Sequence, residues 1–513
     1  MKGRRRSAPG VSIFMPEIAR IEPSRLYRWM VLFVVSLAMF GNYYVYDCIA
    51  PIADLLSKQL GFSDSNIGLL QAIYSIPNVI MVLIGGYIVD RIGARKAIFI
   101  FGTICLIGAV ITAYPDNSWL RGAVVGVVNL AVPVVRLLGH IPLLSRIDFV
   151  RGLGSVEKIS TARGALVAGM SAGRLVFGMG AESLIVAVTT GIAKWFRGKE
   201  LSFAFGINLM MSRAGSLLAQ WSPSWAGFAY SQWRGPLLIS VVFATFCVTG
   251  ALLYWGMEVH AEKRYQVGPA GSTDKVVFRD LTSFGLSYWY IVALCIVFYS
   301  AIFPFETFAY KFFMDAHHTT REAGGDLVGM LTIFTMFGTP FFGRFADRIG
   351  KRALLMMIGS VLLIPVYLMM AYMHSSTYLT AYFPSTSSDG HFAFIAHHLP
   401  PILLLTMAMM GVAFSLIPAV MWPSVAYIVD QSKLGTAYGL MTMIQNIGLA
   451  GFNLLIGWAN DHGQASADNP AGYRMGMWIF SILGFLGVLF AFLLRQRELG
   501  PRGHGLETIT AKG

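Results

Sequence analysis

The chain has 513 residues, 56% of them hydrophobic and only 13% charged, with a mean hydropathy of +0.62. Soluble domains adding up to this length need far more charge to cover their surfaces, so a soluble globular protein is excluded. The formal net charge of +13 does not indicate nucleic acid, because the basic residues sit in short segments between apolar runs and form no single patch or stripe.

A spanning helix needs roughly 20 mostly apolar residues. That rule predicts twelve spans, at 28–50, 66–89, 97–115, 166–193, 201–222, 235–257, 284–310, 327–346, 353–373, 400–425, 436–459 and 473–494. The expected fold is all-α and integral to a membrane, with 12 transmembrane helices. The basic opening Lys2, Arg4, Arg5 and Arg6 is not followed by a small-residue cleavage site, so the first apolar run reads as a span and not a signal peptide. An even number of spans puts both termini on one side. Arg20 and Arg25 in the 1–27 tail share that side with Arg91, Arg95 and Lys96 after the second span. So do Lys194, Arg197 and Lys199 after the fourth, Arg348, Lys351 and Arg352 after the eighth, and Arg495, Arg497 and Arg502 in the 495–513 tail. Positive charge marks the cytoplasmic face, so this side is cytoplasmic.

Two segments interrupt the regular pattern. Residues 116–165 form a connection far longer than usual, and they carry Arg121, Arg136, Arg146, Arg151, Lys158 and Arg163 on the non-cytoplasmic side. The apolar stretch 122–147 with its scattered arginines reads as amphipathic helix lying on that surface, with a re-entrant segment or two short extra spans as alternatives. Residues 258–283, with Gly268, Pro269, Gly271 and Ser272 among mixed charges, read as a flexible cytoplasmic linker. It divides the chain into blocks 28–257 and 284–494, six spans in each.

The blocks share a loop. After the second span the chain reads Gly86-Tyr-Ile-Val-Asp90-Arg91-Ile92-Gly93-Ala-Arg95-Lys96, and after the eighth Gly343-Arg-Phe-Ala-Asp347-Arg348-Ile349-Gly350-Lys351-Arg352, so the copies lie half a chain apart. A glycine lets helices approach, an aspartate can cap a neighbouring helix, and arginines hold the loop at the cytoplasmic surface. Such a loop suits a latch that joins the halves in one state and releases them in another. This pattern resembles the signature loop of the major facilitator superfamily, duplicated as in that family. The resemblance implies two six-helix bundles related by an axis along the membrane normal, a midplane substrate cavity and alternating access.

Further segments are similar to one branch, the lysosomal dipeptide transporters. They are Tyr74-Ser-Ile-Pro77-Asn78-Val79, the run Gly173-Arg174-Leu-Val-Phe-Gly178-Met-Gly180-Ala-Glu182-Ser183-Leu184, Trp195-Phe196-Arg-Gly198-Lys199-Glu200-Leu201, Phe303-Pro304-Phe305, Trp422-Pro423-Ser-Val425-Ala426, and Leu434-Gly435-Thr436-Ala437-Tyr438-Gly439 followed by Ile444-Gln445-Asn446. The 116–165 insertion and the lack of an acidic dileucine signal in the N-terminal tail depart from that branch. The resemblance implies a dipeptide substrate, carried by uniport or with protons, and a glycosylated accessory membrane subunit as a candidate partner. It also implies a lysosomal or vacuolar membrane if the source is eukaryotic; a bacterial source would place the chain in the plasma membrane. The chain has no Asn-x-Ser/Thr acceptor of its own.

Ionisable residues inside spans are costly and default to function. Glu182 and Arg213 each lie about 12 residues from the cytoplasmic ends of antiparallel neighbouring spans, so both sit about 18 Å deep, near the middle of a roughly 30 Å core. A carboxylate and a guanidinium at one depth can hold the two ends of a dipeptide, on the order of 6–7 Å apart; alternatively they form a direct salt bridge that stabilises the bundle. The resemblance implies the same substrate-binding pair. Glu306, beyond Pro304, is a candidate proton site or ammonium contact, and Tyr299, Trp422, Gln445 and Asn446 are further cavity candidates. Arg174 reads either as a functional residue that closes the outer gate or tunes a carboxylate pKa, or as a packing residue hydrogen-bonded to backbone carbonyls, and Asp47 as a vestibule or helix-end carboxylate. His317, His318, His391, His397 and His398 fall in outer loops, where an acidic compartment would charge them.

Other chemistries find no footing. Gly178-Met-Gly180 is a fragment of a nucleotide fingerprint inside a span, and there is no Walker sequence. Cys48, Cys105, Cys247 and Cys295 have no metal or redox spacing. No cofactor, metal or nucleic-acid partner is expected, and no nucleophile–base arrangement suggests an enzyme. The expected partners are the lipid bilayer and a small-molecule substrate. The alternatives are an organic-anion carrier using Arg213 and Arg174, and, from another class, a non-transporting receptor or scaffold.

Overall fold

The computed structural model describes residues 23–116, 161–196, 200–265, 284–373 and 399–510. Most of the 116–165 insertion and residues 266–283 of the expected linker lie outside the described residues. Twelve long helices carry the fold. The first six are α1 (Arg25–Asp47), α2 (Asp64–Ile92), α3 (Ala94–Ala113), α4 (Ala162–Phe196), α5 (Leu201–Gln220) and α6 (Arg234–Arg264). The second six are α7 (Leu286–His317), α8 (Arg321–Ile349), α9 (Arg352–Tyr372), α10 (Pro401–Ile428), α11 (Leu434–His462) and α12 (Arg474–Leu499). Eleven stretches among the described residues are long and apolar enough to cross a membrane, and the 20-residue α5 completes the twelve.

The helices pack as two groups of six. In the first, α4 lies against α2 and α3, and α1 against α5 and α6; in the second, α9 lies against α10 and α12, and α7 against α11 and α12. The groups meet along two seams, α2 with α11 and α5 with α8.

The duplication runs deeper than the loop. α2 and α8 are both 29 residues long, and both their boundaries are offset by the same amount as Gly86 and Gly343. Ser63 Oγ caps α2 by accepting from Asn66 N, and Thr320 Oγ1 caps α8 by accepting from Ala323 N. Both helices stop at a glycine with positive φ, Gly93 at 84° and Gly350 at 69°, a conformation that glycine adopts without steric cost. The duplicated loop is therefore a very short turn between long helices.

Two of the expected boundaries move. α6 continues through Arg264, so residues 258–264 of the expected linker are helical. The reason is electrostatic: Glu258 pairs with Lys194, and Glu262 with Arg95 at 2.9 Å, which anchors the charged end of α6 against α4 and α3. The C-terminal tail also folds back. Glu507 accepts from the first free N–H groups of α9, Ala353 N at 2.9 Å and Leu354 N at 3.3 Å. The carbonyls of Leu506 and Glu507 accept from Arg352 N and Lys351 N. The turn at Gly350 thus has a cap supplied by the distant C-terminal tail.

At the helix ends remote from the duplicated loops the halves are joined by charge. Asp54, in the short helix Ala53–Leu60, accepts a fork of hydrogen bonds from Arg321 at 2.6 and 3.2 Å. Lys311 of α7 pairs with Asp64 of α2. The offset that relates the two loops also carries Asp64 onto Arg321 and Asp54 onto Lys311. The two ion pairs are therefore the same pair of positions used twice, with both acids in the first half and both bases in the second. Asp461 of α11 reinforces the closure, accepting from Asp64 N and Ser65 N at 2.8 Å each. Further in, Thr332 donates to Gln220 Oε1 at 2.7 Å, and Asn78 reaches Asn446 Oδ1 at 3.5 Å.

This closure generates a test. Removing one partner of a fully buried pair costs roughly 3–5 kcal/mol. Arg321 keeps 16% exposure, so about 2 kcal/mol is expected, a shift of about 30-fold toward opening on that side. A cysteine replacing buried Thr332 is expected to react slowly with an impermeant maleimide added from that side, and much faster once Arg321→Gln is added. Equal rates would show that the Asp54–Arg321 pair does not hold the halves together.

Candidate functional site

The site begins with a broken helix. α1 ends at Asp47, and the chain continues through a 3-10 turn at Ala50–Ile52 into the helix Ala53–Leu60. The equivalent stretch of the second half, α7, runs unbroken to His317. Pro51 brings no N–H to the α1 ladder, and the break leaves the last carbonyls of α1 without intrahelical donors. Arg174 of α4 serves them: Nη1 donates to Val45 O at 3.0 Å, and Nη2 to Tyr46 O at 3.3 Å and Gln71 Oε1 at 2.5 Å. The rings of Tyr46, Tyr74 and Phe177 stand 6.0, 5.3 and 5.2 Å from its guanidinium carbon. This cation is 1% exposed, and the negative pole of a helix and three ring faces compensate it in place of a carboxylate. Of the two roles expected for Arg174, the observed contacts are those of a packing residue that pins the end of α1.

Two turns along α4, Glu182 is half-buried. Asn42 Nδ2 reaches the neighbouring Ala181 O at 3.5 Å, which sets the following stretch of α1 beside it. Arg213 of α5 stands 5.7 Å from the ring of Tyr43 in α1 and 5.7 Å from the ring of Phe414 in α10. Tyr43 lies within the field of Arg213, Glu182 and Asp47, and Glu306 of α7 within that of Asp47 and Arg213. Three helices thus bring Asp47, Glu182 and Arg213 around Tyr43, and α7 adds Glu306 on the side of Asp47 and Arg213. Among the described residues none of the four charges has an ion pair within 4.0 Å, and Glu182, Arg213 and Glu306 make no hydrogen bond to a protein group, while the Ser216 hydroxyl stands beside Asp47. The direct Glu182–Arg213 salt bridge is not formed.

The other candidates are dispersed along α7, α10 and α11. Trp422 Nε1 donates to Tyr299 Oη at 2.9 Å, and Tyr299 stacks on Phe303. Gln445 Oε1 accepts from Cys295 at 3.7 Å. Asn446 belongs to the α2–α11 seam, held by Thr442 O and Asn78. His317 is not in a loop: it is the last residue of α7, buried, with Nε2 3.0 Å from Met370 O. His318 is exposed with φ of 52°; His391, His397 and His398 lie outside the described residues.

The loop copies differ in their engagements. Arg95 pairs with Glu262 and lies 5.7 Å from the Trp255 ring, while Arg91 donates to Tyr87 Oη at 3.4 Å. In the second copy Arg352, which follows Asp347 as Arg95 follows Asp90, donates to Asp347 at 2.7 Å and lies over the Tyr427 ring. Asp90, Asp347 and Arg348 are exposed, and Gly86 lies one turn before Asp90 on the same face of α2. Gly343 has open space where a Cβ would stand, so the close approach expected of it is not made in this arrangement.

Sequence reasoning missed the closure residues Asp54, Asp64, Lys311, Arg321 and Asp461, which look like ordinary charges at span ends. It also missed Phe414, which carries no sequence mark at all. A signal was available for two of the pairs: the repeat that relates the loops also relates Asp64 to Arg321 and Asp54 to Lys311.

A helical body sealed at one face by ion pairs, with further charged groups that have no counter-ion within 4.0 Å among the described residues, is built to pass a polar solute between two aqueous spaces. It is a multi-pass membrane transporter. The chain belongs to the Major Facilitator Superfamily, whose family model matches residues 35–135, 159–390 and 307–509. It is 27% identical over 500 residues to a mouse (Mus musculus) protein named lysosomal dipeptide transporter MFSD1, covering 94% of this chain and 90% of that one. The human (Homo sapiens) protein of the same name is 27% identical over 516 residues, with 96% and 92% covered. A solved structure of a bacterial homologue of the human lysosomal transporter Spinster, inward-facing and unoccupied, is similar in fold. Its TM-score is 0.62 over 92% of this chain and 98% of that one, at 16% identity.

Replacing Arg174 tests the pin. Arg174→Gln leaves the α1 carbonyls without their donors and is expected to cost about 2–4 kcal/mol, read as a large fall in the Tm of purified protein. Arg174→Lys is expected to recover little, because a point-like ammonium cannot form the same fork. Full recovery by lysine would mean that charge alone, not the fork, holds the helix end.

Proposed function

We propose that this chain carries dipeptides across a membrane by alternating access, Glu182 taking the substrate ammonium and Arg213 its carboxylate. The observation that supports this most directly is the state of the midplane charges. Every other deeply placed charge described above is engaged, Arg174 by carbonyls and the closure residues by one another. Among the described residues Glu182, Arg213, Asp47 and Glu306 have no counter-ion within 4.0 Å, and charges in a membrane interior without an ion pair mark a substrate or ion path. A zwitterion matches a set containing both signs. Asp47 and Glu306 add acceptors on the Arg213 side, where they can hold a proton or a second ammonium; uniport and proton coupling both fit. Recognition through the termini alone leaves the side chains of the dipeptide loosely specified, which suits a general carrier.

The similarity to proteins named lysosomal dipeptide transporters supports the same substrate class, and by extension a lysosomal membrane. A glycosylated accessory subunit belongs to the same proposal, since the chain lacks glycan acceptors of its own. The organic-anion reading loses one of its two arginines, because the Arg174 terminal nitrogens are occupied. The duplicated loops, with Asp90, Arg91, Asp347 and Arg348 exposed at the cytoplasmic face, would act as the latch in the opposite state.

Counterflow in proteoliposomes tests the proposal. Labelled Gly-Ala is expected to exchange against unlabelled dipeptides, and Glu182→Gln and Arg213→Gln each to slow exchange about 10–100-fold, as loss of a charge-assisted contact predicts. Exchange of free amino acids or sugars without dipeptides would sink the proposal.

A further inference from the structure

We infer that Phe414 is a positioning residue for Arg213, holding the guanidinium against Tyr43 so that its N–H edge faces the substrate carboxylate. The inference rests on the assignment of Arg213 to that carboxylate.

A guanidinium is planar. Its faces are weakly hydrated and stack on aromatic rings, and its five N–H groups all lie in the edge. Rings against its faces therefore steer the edge without consuming a donor. The Arg213 guanidinium carbon stands 5.7 Å from the ring centres of both Tyr43 and Phe414, inside the roughly 6 Å range of a cation–π contact. Among the described residues no ring contact joins Tyr43 to Phe414, so each meets the guanidinium independently of the other. The first belongs to the same half as Arg213. Ser36 donates to Asn208 Oδ1 at 2.9 Å between α1 and α5, fixing the register that sets Tyr43 beside Arg213.

Phe414 belongs to the other half and is itself immobilised. It meets Phe303 edge-on at 5.7 Å and 88°, and Tyr299 at 6.5 Å and 83°. Tyr299 is fixed in turn by Trp422, whose backbone carbonyl accepts from Tyr438 Oη at 3.1 Å. Phe303 also touches Tyr46 of α1 at 6.3 Å. An aromatic plate of the second half thus reaches across to orient a binding group of the first. Recognition of the carboxylate then depends on both halves, although every charge assigned to the substrate termini lies in one.

The test uses the purified full-length chain and two probes, Gly-Ala and Gly-Ala amide, which differ only at the carboxylate. Wild type is expected to bind the acid more tightly than the amide. Phe414→Leu removes the ring face and is expected to reduce that preference about fivefold, whereas Phe414→Tyr keeps it. Tyr43→Leu, which removes the other ring, is expected to reduce the preference in the same way and serves if Phe414→Leu fails to fold. A ligand-free arm compares Tm values: Phe414→Leu should lower Tm more in the wild-type background than beside Arg213→Gln. A preference unchanged in both leucine variants, or equal Tm losses in the two backgrounds, overturns the role of Phe414 and leaves the dipeptide reading standing. A wild type that binds acid and amide alike overturns the carboxylate assignment, and this inference with it.

Discussion

The rest of the structure depends on a doubled ion pair. Asp54 with Arg321, and Asp64 with Lys311, close the ends of the two halves remote from the duplicated loops. The four positions reduce to two, each used once per half in the same register as the duplicated loop. A symmetric interface between identical halves would put like charges at equivalent positions. Here the acids have gone to one half and the bases to the other, so both symmetry-related pairs have the same polarity across the junction. Strong attraction in a partly buried setting requires that both members persist, since a lone buried charge is costly. The seal is thus firm while complete and vulnerable to the loss of any one member.

Beneath the seal, the membrane interior sorts the remaining charges. Arg174 is taken up by the end of a broken helix. That break distinguishes α1 from its uninterrupted counterpart α7, and it sets Tyr43, Tyr46 and Asp47 against α4 and α5. The four charges that have no ion pair among the described residues gather there. Asymmetry therefore arises at three levels of one duplicated plan: charge sign at the seal, helix continuity at the midplane, and support of the cytoplasmic loop. Copy one of that loop leans on α6 through Arg95–Glu262, while copy two leans on the chain's own C-terminal tail through Glu507.

Much of this was legible in the sequence. Helices could be located because long apolar runs have few other uses, and the duplicated Asp-Arg-Ile-Gly loop related the halves to each other. What escaped depended on partners distant in the chain. Hydropathy began the second and eighth spans at 66 and 327, leaving Asp64 and Arg321 in loops, because charge at a helix end dilutes an apolar window. Residues 258–264 read as linker because their charges look solvated; only Lys194 and Arg95, on other helices, make them a helix end. The gathering of Asp47 and Glu306 near Arg213 depends on the break in α1, and Phe414 is one apolar residue in an apolar helix.

The central claim is that the midplane charges without an ion pair receive the two ends of a dipeptide. A structure of the chain determined with Gly-Ala bound tests it directly. The account predicts the ammonium within hydrogen-bond distance of Glu182 and the carboxylate on the edge of Arg213, between Tyr43 and Phe414. A dipeptide bound elsewhere, or held with its carboxylate away from Arg213, would contradict it.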